Sequence, residues 1–106
     1  MYLNAEVLEA KYTKRTFKNG KASDIFLIVA KCNKYHKIFD LMIFDKKVQE
    51  KANKEIKKGM EVIFSFPTVK GNDSGSYNQY AILDGDWKIT KTIQDKINEL
   101  TKELNG

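Results

Sequence analysis

The chain of 106 residues has room for one domain, and its 42% hydrophobic share with twelve aromatic residues excludes a disordered polymer. Its longest apolar run, IFLIVA at residues 25–30, is far short of the roughly 20 residues a membrane-spanning helix needs, and MYLNAEVLEAKY lacks the basic and apolar stretches of a secretory leader, so a soluble cytoplasmic protein is expected. All of the +5 net charge falls in residues 1–38, where eight basic residues face three acidic ones among Tyr12, Phe17, Phe26 and Tyr35; this fits either a nucleic-acid surface or a solvated lysine-rich one.

In chain order, LNAEVLEAKYTKRT (3–16) alternates first through Leu3, Ala5 and Val7 and then through Leu8, Ala10 and Tyr12, which predicts one long strand with a bulge near Val7-Leu8. Asn19-Gly20 marks a turn. IFLIVAKC (25–32) and HKIFDLMIF (36–44) read as a short-looped hairpin. The period then changes: Asp45 is a helix cap, Val48, Ala52 and Ile56 form a narrow stripe, and Gly59 closes the helix. MEVIFSF (60–66) alternates as a strand that Pro67 ends. QYAILDGDWKI (79–89) reads as a single strand kinked at Gly85, with Tyr80, Ile82, Trp87 and Ile89 as its inward face. Between them, TVKGNDSGSYNQY (68–80) holds more turn-forming residues than a reversal requires, which predicts a long mobile loop. Finally, Ile93, Ile97, Leu100 and Leu104 form an apolar seam on a helix that either docks on its own domain or pairs with a second copy.

Three strands, a helix and two strands predict an all-β domain with added helices: a five-stranded OB-fold barrel over residues 1–90 plus a C-terminal helix over 91–106. Residues 44–83, FDKKVQEKANKEIKKGMEVIFSFPTVKGNDSGSYNQYAIL, resemble a stretch of the bacterial and phage single-stranded DNA-binding proteins. The shared pattern is an aromatic ending strand three, a helix, a lysine-glycine turn, a strand, and a glycine-bearing loop before a tyrosine strand. The chain departs from the bacterial pattern in lacking a tryptophan in KYHKIF and an acidic tail, so the compact phage type is the nearer likeness. The resemblance implies a protein that coats and protects single-stranded DNA in replication or recombination, without a cofactor. It also implies a DNA-stacking aromatic at Phe44.

Single strands are bound by basic grooves and by rings on which bases stack. Strand alternation puts Phe39, Leu41 and Ile43 on one face and Ile38, Asp40, Met42 and Phe44 on the other, which aims Phe44 into the groove if the first set is core. Tyr35 at the 2–3 turn is a second stacking candidate. Lys14, Arg15 and Lys18 around the 1–2 loop, and Lys31, Lys34 and Lys37 around the central hairpin, are phosphate candidates. Lys70 and Tyr77 flank the long loop. The expected partners are single-stranded DNA and a second copy of the chain, joined through the last helix or a strand edge, with replication or recombination proteins beyond them. A protein-interaction or RNA-binding OB module is the alternative. Asp84-Gly85-Asp86-Trp87-Lys88 contains only the short end of a magnesium-nuclease motif, and Cys32 with His36 cannot complete a zinc site, so neither an enzyme nor a metal centre is expected.

Overall fold

The computed structural model describes residues 2–16, 19–34, 37–65 and 79–105, apart from the side chain of Gln79. Its elements are β1 (Tyr2–Thr16), β2 (Ala22–Cys32), β3 (Ile38–Ile43), α1 (Lys46–Glu55), β4 (Glu61–Ser65), β5 (Gln79–Ile82), β6 (Trp87–Lys91) and α2 (Ile93–Asn105). The strands form one curled, half-barrel sheet in the order β5-β3-β2-β1-β4-β6. The first three strands make an antiparallel meander, β4 lies antiparallel to β1, and β5 runs parallel to β3.

In β1, Val7 faces Ala30 and Ala10 faces Ile28, with the register shifting between Val7 and Glu9. The extra residue turns both apolar phases of the strand, Leu3-Ala5-Val7 and Ala10-Tyr12, toward one side. That side carries the core. Phe26, Ile28, Leu41, Ile43, Val62 and Phe64 are each buried there, together with Ala52 of α1 and Ile56 just beyond it. Truncating a wholly enclosed side chain such as Leu41 to alanine costs about 2–5 kcal/mol.

Asp45 caps α1 as its position predicts: its carboxylate accepts from the N–H groups of Lys47 at 2.9 Å and Val48 at 3.1 Å. The other end differs from expectation. The helix stops at Glu55, and Ile56 is already extended, at φ −103° and ψ 122°, although its N–H still reaches the Ala52 carbonyl at 2.8 Å. Leaving the helix early accompanies the burial of Ile56 in the core. Gly59, at φ 93°, serves the following turn instead, where its N–H donates to the Val7 carbonyl. Gln49, which no apolar pattern marks, is buried beside Ala52, and its amide donates to the carbonyls of Ile43 at 2.8 Å and Asp24 at 3.2 Å. It thereby satisfies backbone acceptors where helix and sheet meet.

Among the described residues the sheet has six strands where five were expected. The segment expected to form a single kinked strand is two: β5 pairs with β3, β6 pairs with β4, and residues 83–86 pass from one edge of the sheet to the other. Gly85, at φ 117°, makes the bend, with the Leu83 N–H on the Met42 carbonyl before it and the Ser65 N–H on the Asp86 carbonyl after it. The inward side of β5 is also corrected. Ala81 and Leu83 are the buried residues, whereas Tyr80 and Ile82 are only partly covered. Trp87 and Ile89 of β6 do pack against the core.

At the start of α2, the Asp95 carboxylate accepts from the Thr92 N–H at 2.9 Å while the Asp95 N–H donates to the Thr92 hydroxyl at 3.1 Å, a reciprocal cap. The helix is tied to the sheet by ion pairs from Lys96 to Glu6 at 2.8 Å and from Lys91 to Glu99 at 3.0 Å. None of its described residues is buried. Its seam is open, with Ile93 43% and Leu104 86% exposed.

Candidate nucleic-acid interface

Residues paired across neighbouring strands share a face, so the register divides the sheet into two sides. The side away from the core carries Glu9, Lys11, Thr13 and Arg15 of β1, then Ile25, Leu27, Val29 and Lys31 of β2. Asp40 and Met42 of β3 and Tyr80 and Ile82 of β5 continue it. Four strands thus present one outer surface, and its open ground lies toward the margins. Ile25 and Met42 are each only 1% exposed and Asp40 is 8% exposed, so the centre is covered. The division of β3 into a core face of Phe39, Leu41 and Ile43 and an opposite face with Asp40 and Met42 is as alternation predicts, although Met42 is buried on that opposite face.

The candidate residues around the 1–2 turn separate. Lys14 lies opposite Asp24 on the core-facing side of the hairpin, beyond the core itself, whereas Arg15 lies opposite Ser23 on the outer side. The guanidinium of Arg15 sits 5.6 Å from the centre of the Tyr80 ring, a cation over an aromatic face. Sequence alternation alone points Tyr80 toward the core. It reaches the outer surface instead because β5 pairs in parallel with β3, opposite Asp40, and local periodicity carries no trace of that long-range pairing.

At the other end of β2, Lys31 is half-buried, with Glu6 and Ile38 as its cross-strand neighbours. Lys34 and Lys37 are exposed, and the Lys37 carbonyl closes the 2–3 turn by accepting from the Cys32 N–H at 2.7 Å. Phe44 follows the last residue of β3 and is half-buried. The backbone of Arg15, opposite Ser23, and that of Lys31 are thus separated by eight residues of β2, about 26 Å at the usual rise, but the Arg15 side chain reaches back to Tyr80, whose row through Asp40 and Val29 lies two residues from Lys31. Lys18, Tyr35, Lys70 and Tyr77 lie outside the described residues, as does most of the loop 68–80.

Among the described residues, no group of three or more histidine, cysteine, aspartate or glutamate side chains could hold a metal ion, and no helix is long and apolar enough to cross a membrane. Compared with protein-family models, with curated proteins and with solved structures, the chain matches none.

Proposed function

We propose that the chain is an OB-fold protein that binds single-stranded DNA with little sequence preference, coating and protecting exposed strands during replication or recombination of the phage type. The observation that carries this reading is the outer surface of β1, β2, β3 and β5, where Arg15 lies over Tyr80 and Lys31 stands two residues along β2 from the Tyr80 row, with the exposed Lys34 and Lys37 in the adjoining 2–3 turn. Such a surface offers cations to phosphates and rings to bases. The connectivity supports the fold: a three-stranded meander, a helix before β4, β1 against β4, and β5 parallel to β3. Counting β5 and β6 as two halves of one bent strand brings the total to the five of an OB barrel. A second copy of the chain is the proposed partner, joined through the open seam of α2. That same seam favours the second reading, a module that binds another protein.

The test is a titration of the protein into labelled oligo-dT, oligo-dA and a duplex of equal length at two salt concentrations. Both single strands bind more tightly than the duplex, and affinity falls steeply as salt rises. Equal affinity for duplex and single strand, or affinity indifferent to salt, overturns the reading. An oligo-rU arm separates RNA from DNA as the preferred strand.

A further inference from the structure

Beyond the surface assigned above, a cleft of about 620 Å³ opens beside β4 and β6, lined by Tyr2, Lys51, Ile63, Asp86, Trp87 and Lys88 among others. Its walls are unequal. Trp87 is fixed: Lys51 holds its ammonium 4.7 Å from the ring centre and donates to the Gly85 carbonyl, while the indole N–H donates to Glu55 at 3.1 Å. Tyr2 is 77% exposed, an aromatic ring offered to solvent at the first position of a strand. The two lysines outnumber Asp86, so the lining is net basic.

A cross-strand row joins the cleft to the end of β2 that carries the 2–3 turn. Asn33 bonds Asn4 through backbone and side chain, Asn4 pairs with Ile63, and Ile63 pairs with Lys88. This row crosses three interstrand spacings, about 15 Å from Asn33 to Lys88, and Tyr2 lies two residues from Asn4 on the same face. A strand leaving Lys34 along this row passes Asn33, whose amide also donates to the Glu61 carboxylate at 3.0 Å, before it reaches Lys88 and the exposed ring of Tyr2.

We infer that this cleft is a second subsite for single-stranded DNA, in which a base stacks on the exposed ring of Tyr2 and the neighbouring phosphate pairs with Lys88 on the same face, while Trp87 closes the cleft from the core side. The inference rests on the single-strand reading and extends it to a part of the sheet that the sequence assigns to packing alone. Trp87 is the sole tryptophan of the chain, so its emission reports on this cleft directly. Oligo-dT of roughly 16 nucleotides, the upper end of OB-fold site sizes, is titrated while anisotropy of the labelled strand and tryptophan emission are recorded together.

Emission changes along the same isotherm as anisotropy. Tyr2→Ala weakens binding by about five- to 150-fold, Tyr2→Phe binds as the parent does, and Lys88→Ala lowers the salt dependence. Tyr2 is exposed, so an unchanged circular dichroism spectrum accompanies its loss. Binding by anisotropy with unaltered emission, and with Tyr2→Ala as tight as the parent, overturns the subsite and leaves the proposed function standing. No binding by anisotropy at low salt overturns both.

Discussion

Arg15 and Lys14 are adjacent in sequence and opposite in space, because successive residues of a strand point to alternate sides. Only Arg15 shares a surface with Tyr80 and the outer residues of β2. Arg15→Ala therefore weakens oligo-dT binding more than Lys14→Ala and lowers the salt slope by about 0.7 for each phosphate that is no longer neutralised; paired titrations of the two variants check the order. Asp95 illustrates a different kind of local control. The Thr92 N–H, and after it the Thr92 hydroxyl, hold its carboxyl below the ordinary value. A depressed carboxyl stabilises the fold above its unfolded value, and that support is lost as pH falls through the folded one. Lys91 is raised, first by its bond to the Glu99 carboxylate and then by that group's charge, so its support is present below the unfolded value and lost as pH rises through the folded one. The helical signal of α2 is thus expected to weaken below about pH 4 and above about pH 10, and Asp95→Asn makes the acid limb shallower in a circular dichroism titration, the remainder coming from the carboxylates paired with Lys91 and Lys96. At this scale the sequence is informative about residue type and weak about direction. It marks Asp45 as a cap and Trp87 as a packing residue, but it cannot show that Tyr80 faces outward or that Gln49 is buried, since neither fact leaves a local periodic signal.

Among the elements, β1 is the most legible, because a slip in alternation between Val7 and Leu8 is the direct imprint of a bulge on a sequence of two-residue period. The hairpin of β2 and β3 is equally readable from its β-branched runs. What stays hidden is pairing at long range. Gly85 is visible as a kink, yet nothing nearby says that the residues before it join β3 and those after it join β4. The glycine is required there by conformation and not by space: its φ of 117° is rarely open to other residues, whereas an added Cβ would meet Val48 only at an ordinary contact distance of 3.5 Å. Gly85→Ala is expected to destabilise the protein by about 1 kcal/mol or more, read as a lower urea midpoint with an unchanged slope. The early end of α1 follows a similar logic. The stripe Val48-Ala52-Ile56 is apolar as its spacing indicates, but Ile56 reaches the core from extended backbone, so tertiary packing outweighs helix continuation.

For the whole molecule, the basic excess of the first third of the chain is divided between Arg15, whose side chain lies over Tyr80, and the lysines at and beyond the Cys32 end of β2. The helix α2 stands apart from this arrangement. Ion pairs and a reciprocal cap attach it, while Ile97, Leu100 and Leu104 remain 49%, 59% and 86% exposed. The seam alone leaves both docking and self-pairing open; the exposure favours self-pairing as the seam's use. The double substitution Leu100→Glu, Leu104→Glu is then expected to shift a dimer to monomer in sedimentation while changing the stability of each subunit by no more than about 0.5 kcal/mol. A double variant that sediments as the parent does would remove α2 from the assembly.

The passage of residues 83–86 between the two sheet edges has a consequence for the order in which the chain folds. The meander of β1, β2 and β3 assembles from neighbours in sequence and needs no distant partner. By contrast, β1 must meet β4 from the far side of the helix, with Tyr2 against Ser65, and the last two strands find opposite edges of a sheet that has to exist before them. Loop closure makes such distant pairings slow. The bend at Gly85 is therefore expected to form late: until it does, a folding chain leaves β3 and β4 as two bare margins, and its completion covers both at once, with β5 and β6 as the final edges.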